Sequence, residues 1–242
     1  MDKDPPPPTI ETVYAAIRFA ADTSTLLANL GVAIEVGSDF DYYAGEVAKA
    51  RPDQPIGPPF DHHKHYFTDQ NAFWVMGRDR HDKVVHCQAM RLVDLAGGTL
   101  AGYMIRRFRD YSPVGLTLDL NRSRYRPGPT AHRIAGKVCY HGDLWLSRSI
   151  RGTGVTALLS RFALVTALLH LRPSYIFGFM GEGLAFRGLT EREGYMHAEP
   201  ATLTWQLSTS EDALEGFMVS VSREDLAQLL LVPPNRLLTV RK

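Results

Sequence analysis

The sequence predicts an α/β fold: a single domain with a mixed central sheet and helices on both faces. Three observations lead there. The chain has 242 residues, 45% hydrophobic and 22% charged, which suits one sizeable core. Two β-rich runs, 72–76 and 83–95, flank the polar turn 77–82 and read as an antiparallel hairpin. Further on, the apolar run 138–146, a glycine turn, a long apolar-faced segment at 155–171 and a second apolar run at 175–180 give the order strand, helix, strand.

The elements follow in order. Residues 1–8, MDKDPPPP, read as an acidic polyproline lead-in without the basic and apolar regions of a signal peptide; the domain is expected from 9 to 242. Val13, Ile17, Ala20, Leu26, Leu27 and Leu30 recur at helical spacing, predicting one or two helices that stop at Gly31. A short strand at 32–36 follows, then a helix to about Ala50 that Ser38 and Asp39 are placed to cap. Four prolines make 51–60 a loop. After the hairpin, Gly97 and Gly98 end the strand, 99–109 suggests a short helix and 116–120 a short strand, and 121–136 reads as a basic, proline-containing loop. Pro173 ends the long helix after 171. A short helix at 183–193, ended by Gly194, precedes closing strands at 201–207 and 217–221, and Ser222 with Asp225 caps a last helix through Leu231.

The formal net charge of +1 gives no bulk electrostatic case for nucleic acid or an anionic membrane. The most apolar stretch, 155–171, is interrupted by Arg161 and His170 and is too short to span a bilayer. Cys87 and Cys139 both sit in apolar runs, as buried free thiols of a reducing compartment do. A cytoplasmic protein without an integral membrane segment is expected.

The run Arg151-Gly152-Thr153-Gly154 separates the 138–146 strand from the long helix. One reading is a tight connecting turn. The other is a phosphate cradle. The first N–H groups of a helix lack intrahelical acceptors, the helix dipole makes that end positive, and glycines let an anion approach the backbone. Arg148 and Arg151 would add charge, and the amides from Arg151 through Gly152, Thr153 and Gly154 to Val155 would hold the ligand. The segment lacks the Lys-Ser/Thr of a P-loop and the spacing of a dinucleotide fingerprint.

Strand, Arg-Gly-x-Gly, long helix, strand, short helix and Gly194-Tyr195 together resemble the GNAT acyltransferase superfamily, over 71–207 and best over 138–195. The family pattern is Gln/Arg-x-x-Gly-x-Gly/Ala; Ser149 stands at its first position, with Arg148 one residue before. The resemblance implies a GNAT-like fold, an acyl-CoA or acyl-phosphopantetheine co-substrate held by the turn, no metal, and transfer of the acyl group to a small amine acceptor. About forty residues separate the Met90-Arg91-Leu92 strand from Val138, an insertion at roughly 96–137. With Ser147-Arg148 closing the next strand, this is similar to autoinducer synthases and related N-acyl amino acid synthases. That narrower likeness implies a medium or long acyl chain and acyl carrier protein as a partner. Acetyl-CoA-dependent N-acetylation of a small molecule or protein, and a non-catalytic module that binds acyl thioesters, remain alternatives. Ser149 and Thr190, where the family carries Gln or Arg and its acid Tyr, keep the last one open; in an active enzyme Tyr195 or water would return the proton.

Acyl transfer to an amine needs a proton acceptor and a donor for the developing oxyanion. Asp143 occupies the place of the family's Glu, His141 lies two residues earlier and is expected on the same strand face, and the Leu146 backbone N–H is the oxyanion candidate. The 61–65 run Asp-His-His-Lys-His lacks separated partners for a metal and reads as a solvated loop. The 121–126 run Asn-Arg-Ser-Arg-Tyr-Arg, with His132, Arg133 and Lys137, reads as a solvated basic loop, or as a docking site for an acidic carrier protein or the 3′-phosphate of coenzyme A.

Overall fold

The computed structural model describes residues 6–238; most of the expected lead-in lies outside them. A 20-residue helix α1 (Ile10–Asn29) precedes β1 (Ala33–Gly37) and α2 (Phe40–Ala50). Then come β2 (Ala72–Arg78), β3 (Val84–Val93), α3 (Leu100–Arg107), β4 (Leu118–Tyr125) and α4 (Pro129–Arg133). The second half runs β5 (Val138–Leu146), α5 (Val155–His170), β6 (Tyr175–Gly181), α6 (Glu182–Ala185), α7 (Leu189–Glu193), β7 (His197–Leu207), β8 (Ala213–Ser222) and α8 (Arg223–Leu229). They build one eight-stranded mixed sheet in the order β1-β2-β3-β5-β6-β8-β7-β4. The pair β5–β6 is parallel, and the other pairs among the described residues are antiparallel.

Alternation along β2 sorts the two faces. Trp74 and Met76 pack with Phe40, Tyr43 and Val47 of α2, whereas Phe73 and Val75 pack with Phe162 and Leu164 of α5. Local signals set the helix ends. The Asp39 side chain accepts from the N–H groups of Asp41 and Tyr42, and Ser222 and Asp225 form a reciprocal capping box on α8.

Several expectations change. The basic run is not a loop: β4 continues through it to Tyr125. Arg122, Arg124 and Arg126 alternate outward to solvent while Ser123 points in, and the strand adds to the edge of β7. The insertion therefore crosses the α2 face, where Leu100, Met104, Phe108 and Tyr111 join the core, and ends as an edge strand. The helix expected over 183–193 is two short helices, interrupted where Gly188 takes φ +74°. The closing strands are longer than their apolar runs, since β7 and β8 extend one another by pairing. Finally, α5 is buried on nearly every side rather than along one face. The added α1 covers its outer surface, with Ala16 and Phe19 against Val165.

Candidate active site

The parallel pairing of β5 and β6 stops early. Val138, Cys139 and Tyr140 face Tyr175, Ile176 and Phe177, and no register continues beyond. The strands part there, and a cleft of about 420 Å³ opens between residues 140–145 of β5 and 178–181 of β6. Phe60, Tyr111, Trp205 and Leu203 close its α2 side; Glu193 and Tyr195 also line it. It adjoins a more open groove of about 880 Å³, lined by Lys83, Arg148 and Arg151, through shared walls at Arg51, Gln54, Pro113, Val114 and Trp145.

A β-bulge sits beside the parting. Ala89 pairs with Gly142 and Cys87 with Trp145, so Asp143 and Leu144 together oppose Gln88. Asp143 takes the left-handed conformation, φ +57°, which an Asp tolerates better than most residues. The bulge breaks the strand alternation, and that corrects one expectation: His141 and Asp143 do not share a face. His141 points to the α5 side, where its Nδ1 lies 2.6 Å from the Tyr195 hydroxyl and its Nε2 2.8 Å from Gln88 Oε1. Asp143 points to the α2 side. It forms a buried ion pair with Arg51, accepts a 2.8 Å hydrogen bond from the Tyr43 hydroxyl and lies 3.4 Å from the Gly57 N–H. Burial pushes the Asp143 carboxyl up, and the Arg51 charge and these hydrogen bonds oppose it.

Two buried histidines are kept neutral by the loss of solvent. His141 is pushed down to about 4 and His86 to about 3. His86 Nδ1 lies 2.8 Å from the Trp145 carbonyl, which can only accept, so Nδ1 carries the proton.

Leu146 pairs with His86 on β3, and the next bond along, Ser147 N–H to Val85 O at 2.7 Å, marks the neighbouring hydrogen-bonded pair. The Leu146 pair is therefore of the other type, and its N–H and C=O point away from β3. The Leu146 carbonyl accepts from Arg151 Nε at 3.0 Å. That bond holds the guanidinium at the groove.

The turn itself carries two left-handed glycines, Gly152 at φ +80° and Gly154 at φ +85°. Gly154 is the N-cap of α5 and no side chain caps that helix. A Cβ on Gly152 would meet nothing within 4 Å, so the amide edge there is open. Thr153 donates its hydroxyl to the Ile150 carbonyl, and the Ser147 and Ser149 hydroxyls bond each other at 2.8 Å. Arg148 and Arg151 line the basic groove; Gly152, Thr153, Gly154 and Val155 sit at its edge in sequence and line neither cavity.

Sequence reasoning missed Glu193. It is 6% exposed, lines the cleft, and its carboxyl has no hydrogen-bond or ion-pair partner among the described residues. Burial pushes it up to about 8. Its backbone is fixed from α5: Ser160 donates to the Glu193 carbonyl at 3.0 Å, and Arg161 donates to the Glu191 carbonyl at 2.7 Å. Gly194 closes α7 at φ +95°. The available sequence signal was Arg161 inside an otherwise apolar helix, which marks a buried polar anchor. The Thr190 hydroxyl is buried against the Met180 sulfur and does not serve the cleft.

Among the described residues no group of three or more His, Cys, Asp or Glu is disposed to hold a metal, and no helix is long and apolar enough to cross a membrane. Cys87 and Cys139 are buried free thiols.

The class these features define is a mixed α/β sheet with a parting between two parallel central strands. No family model matches the chain, and no curated protein does. Solved structures overlap it distantly. SpeG spermidine N-acetyltransferase from Vibrio cholerae, as a point variant, is 9% identical with TM-score 0.46, over 81% of this chain and 96% of that one. Arabidopsis thaliana NAA60 in complex with acetyl-CoA is 9% identical with TM-score 0.43, over 79% and 98%. Escherichia coli ElaA is 11% identical with TM-score 0.41, over 77% and 98%.

Proposed function

We propose that the protein is a GNAT-like N-acyltransferase that moves an acyl group from a thioester to a primary amine. The observation that carries this reading is the parting of β5 from β6 directly before an uncapped helix N-terminus. Beyond Tyr140 the β6-facing edge of β5 has no strand beside it. An extended arm with amide groups, such as pantetheine, can pair with that edge as a strand would. Its phosphates would then reach the amides of 152–155 and the charges of Arg148 and Arg151. The Leu146 N–H, directed away from β3, would receive the thioester oxygen as charge develops on it. The amine attacks the carbonyl carbon, a C–N bond forms, the C–S bond breaks with its electron pair going to sulfur, and the amine's proton passes through the site to the thiolate.

Asp143 enters the proposal in an altered role. Locked against Arg51, it holds the bulge in shape and leaves proton handling to groups on the other face, where His141 lies. The cleft's apolar walls and its volume favour a medium or long acyl chain over acetyl, supplied by CoA or by an acyl carrier protein docked on the outward arginines of β4. The insertion supplies Tyr111 and Pro113 to the cover, in keeping with the likeness to N-acyl amino acid synthases. Acetyl-CoA as donor is the second reading. Buried free thiols fit a reducing compartment such as the cytoplasm.

The test is a thermal-shift titration with acetyl-CoA, a long-chain acyl-CoA and acyl carrier protein, on the wild type and on Gly154→Glu. A ligand of the folded state raises the melting temperature by mass action. Stabilisation lost in Gly154→Glu supports the cradle. Stabilisation by acetyl-CoA alone selects the acetyl donor, and no shift with any thioester overturns the reading.

A further inference from the structure

Glu193 and Tyr195 present hydrogen-bond acceptors to the same cleft, and a chain of hydrogen bonds fixes the second of them. Gln88 Nε2 donates to the Leu159 carbonyl at 2.7 Å, which orients the amide and turns its oxygen to His141 Nε2. That nitrogen must carry the proton. Neutral His141 then has a bare Nδ1, and the Tyr195 hydroxyl donates to it across 2.6 Å. With its proton committed, Tyr195 has only lone pairs left for another partner. Gly178 on β6 leaves it the room, since a Cβ there would stand 3.1 Å from the hydroxyl and 2.9 Å from the His141 carbonyl. Two residues away in sequence stands Glu193, 6% exposed, whose carboxyl opens on the cleft and takes no protein donor among the described residues. A buried carboxyl without partners is costly, and a donor-rich ligand removes the cost.

We propose that Glu193 and Tyr195 form the head-group site for the acceptor, a primary amine whose N–H bonds go to these two oxygens and whose body is apolar and packs on Tyr140, Phe179 and Trp205. This deepens the acyltransferase reading and rests on it for the identity of the second substrate. Phosphorylated amines fit poorly, because the chamber's lining adds Glu215, which accepts from the Thr204 hydroxyl at 3.1 Å, and the Arg51-paired Asp143 to Glu193, beside an aromatic wall. With burial raising it to about 8, Glu193 holds a proton in the empty site near neutral pH; an amine, whose conjugate acid lies near 10, is the stronger base and takes that proton, so the bound pair is carboxylate and ammonium.

The probe is phenethylamine, titrated calorimetrically beside phenethyl alcohol and spermidine, with acetyl-CoA titrated in parallel. Wild type should bind phenethylamine in preference to both analogues. Glu193→Gln, nearly isosteric, should weaken it about tenfold or more, and Tyr195→Phe by several-fold. Neither variant should change acetyl-CoA affinity, which also reports that each is folded. Equal binding of amine and alcohol, or undiminished amine binding by Glu193→Gln, overturns the site. Amine binding intact with no acetyl-CoA binding instead sinks the donor reading and leaves the amine site standing.

Discussion

Asp143 is bound in a buried ion pair with Arg51, and both side chains are almost entirely out of solvent. Removing one partner leaves the other charge uncompensated, whereas removing both does not. Asp143→Asn should therefore cost about 3–5 kcal/mol in urea denaturation, and Arg51→Met a similar amount. The double variant Asp143→Leu/Arg51→Met should recover most of it. If Asp143→Asn left stability unchanged and removed only turnover, Asp143 would be the base after all.

Glu193 makes the folded state lose stability on the alkaline side. Its pKa rises from 4.5 in the reference state to about 8 in the fold, so the folded chain holds a proton that the unfolded chain has released. Stability from this group is present below 4.5 and is lost as pH rises through about 8, by an amount on the order of a few kcal/mol. Glu193→Gln should flatten the fall between pH 4.5 and 8. An equally steep fall in the variant would contradict the burial of that carboxyl.

The acid side has the opposite sign and another source. His141 and His86 are depressed from 6.5 to about 4 and about 3. Between pH 6.5 and 4 the unfolded chain binds protons that the fold excludes, so stability falls on acidification. His86→Phe keeps an aromatic ring at this buried site, removes one titrating group and should reduce the slope of melting temperature against pH over that range.

Gly194 is fixed by conformation and by space. At φ +95° a Cβ would also stand 3.0 Å from the Arg161 and Leu164 side chains. Gly194→Ala should destabilise by about 2 kcal/mol or more, combining left-handed strain with overpacking. Because it shifts the end of α7, it should also weaken amine binding more than thioester binding. Paired binding titrations read that difference.

Much of the fold was legible because its signals are local. The hairpin came from two β-rich runs about a polar turn, β5 from the strand-like run ahead of the glycine turn, and the start of α5 from Gly154 and the periodicity behind it. The path of the insertion was not, because β4 owes its length to pairing with β7 rather than to its own polar sequence. At the site, the turn and the two arginines were visible as a motif. The bulge at Asp143 was not: one extra residue in a ladder depends on the register of the partner strand, and it sent Asp143 and His141 to opposite faces. Glu193 was hidden for a similar reason. A Glu at the end of a short helix reads as surface until Arg161 and Ser160 of α5 are seen tying that helix end into the core.

The most direct measurement is amide hydrogen exchange with and without acetyl-CoA. If the thioester arm lies along the open edge of β5 with its phosphates at the glycine turn, protection should rise at Leu146 and across 152–156. It should stay unchanged on β1 and β2. Protection confined to other segments, or none at saturating ligand, would contradict the acyl-thioester site.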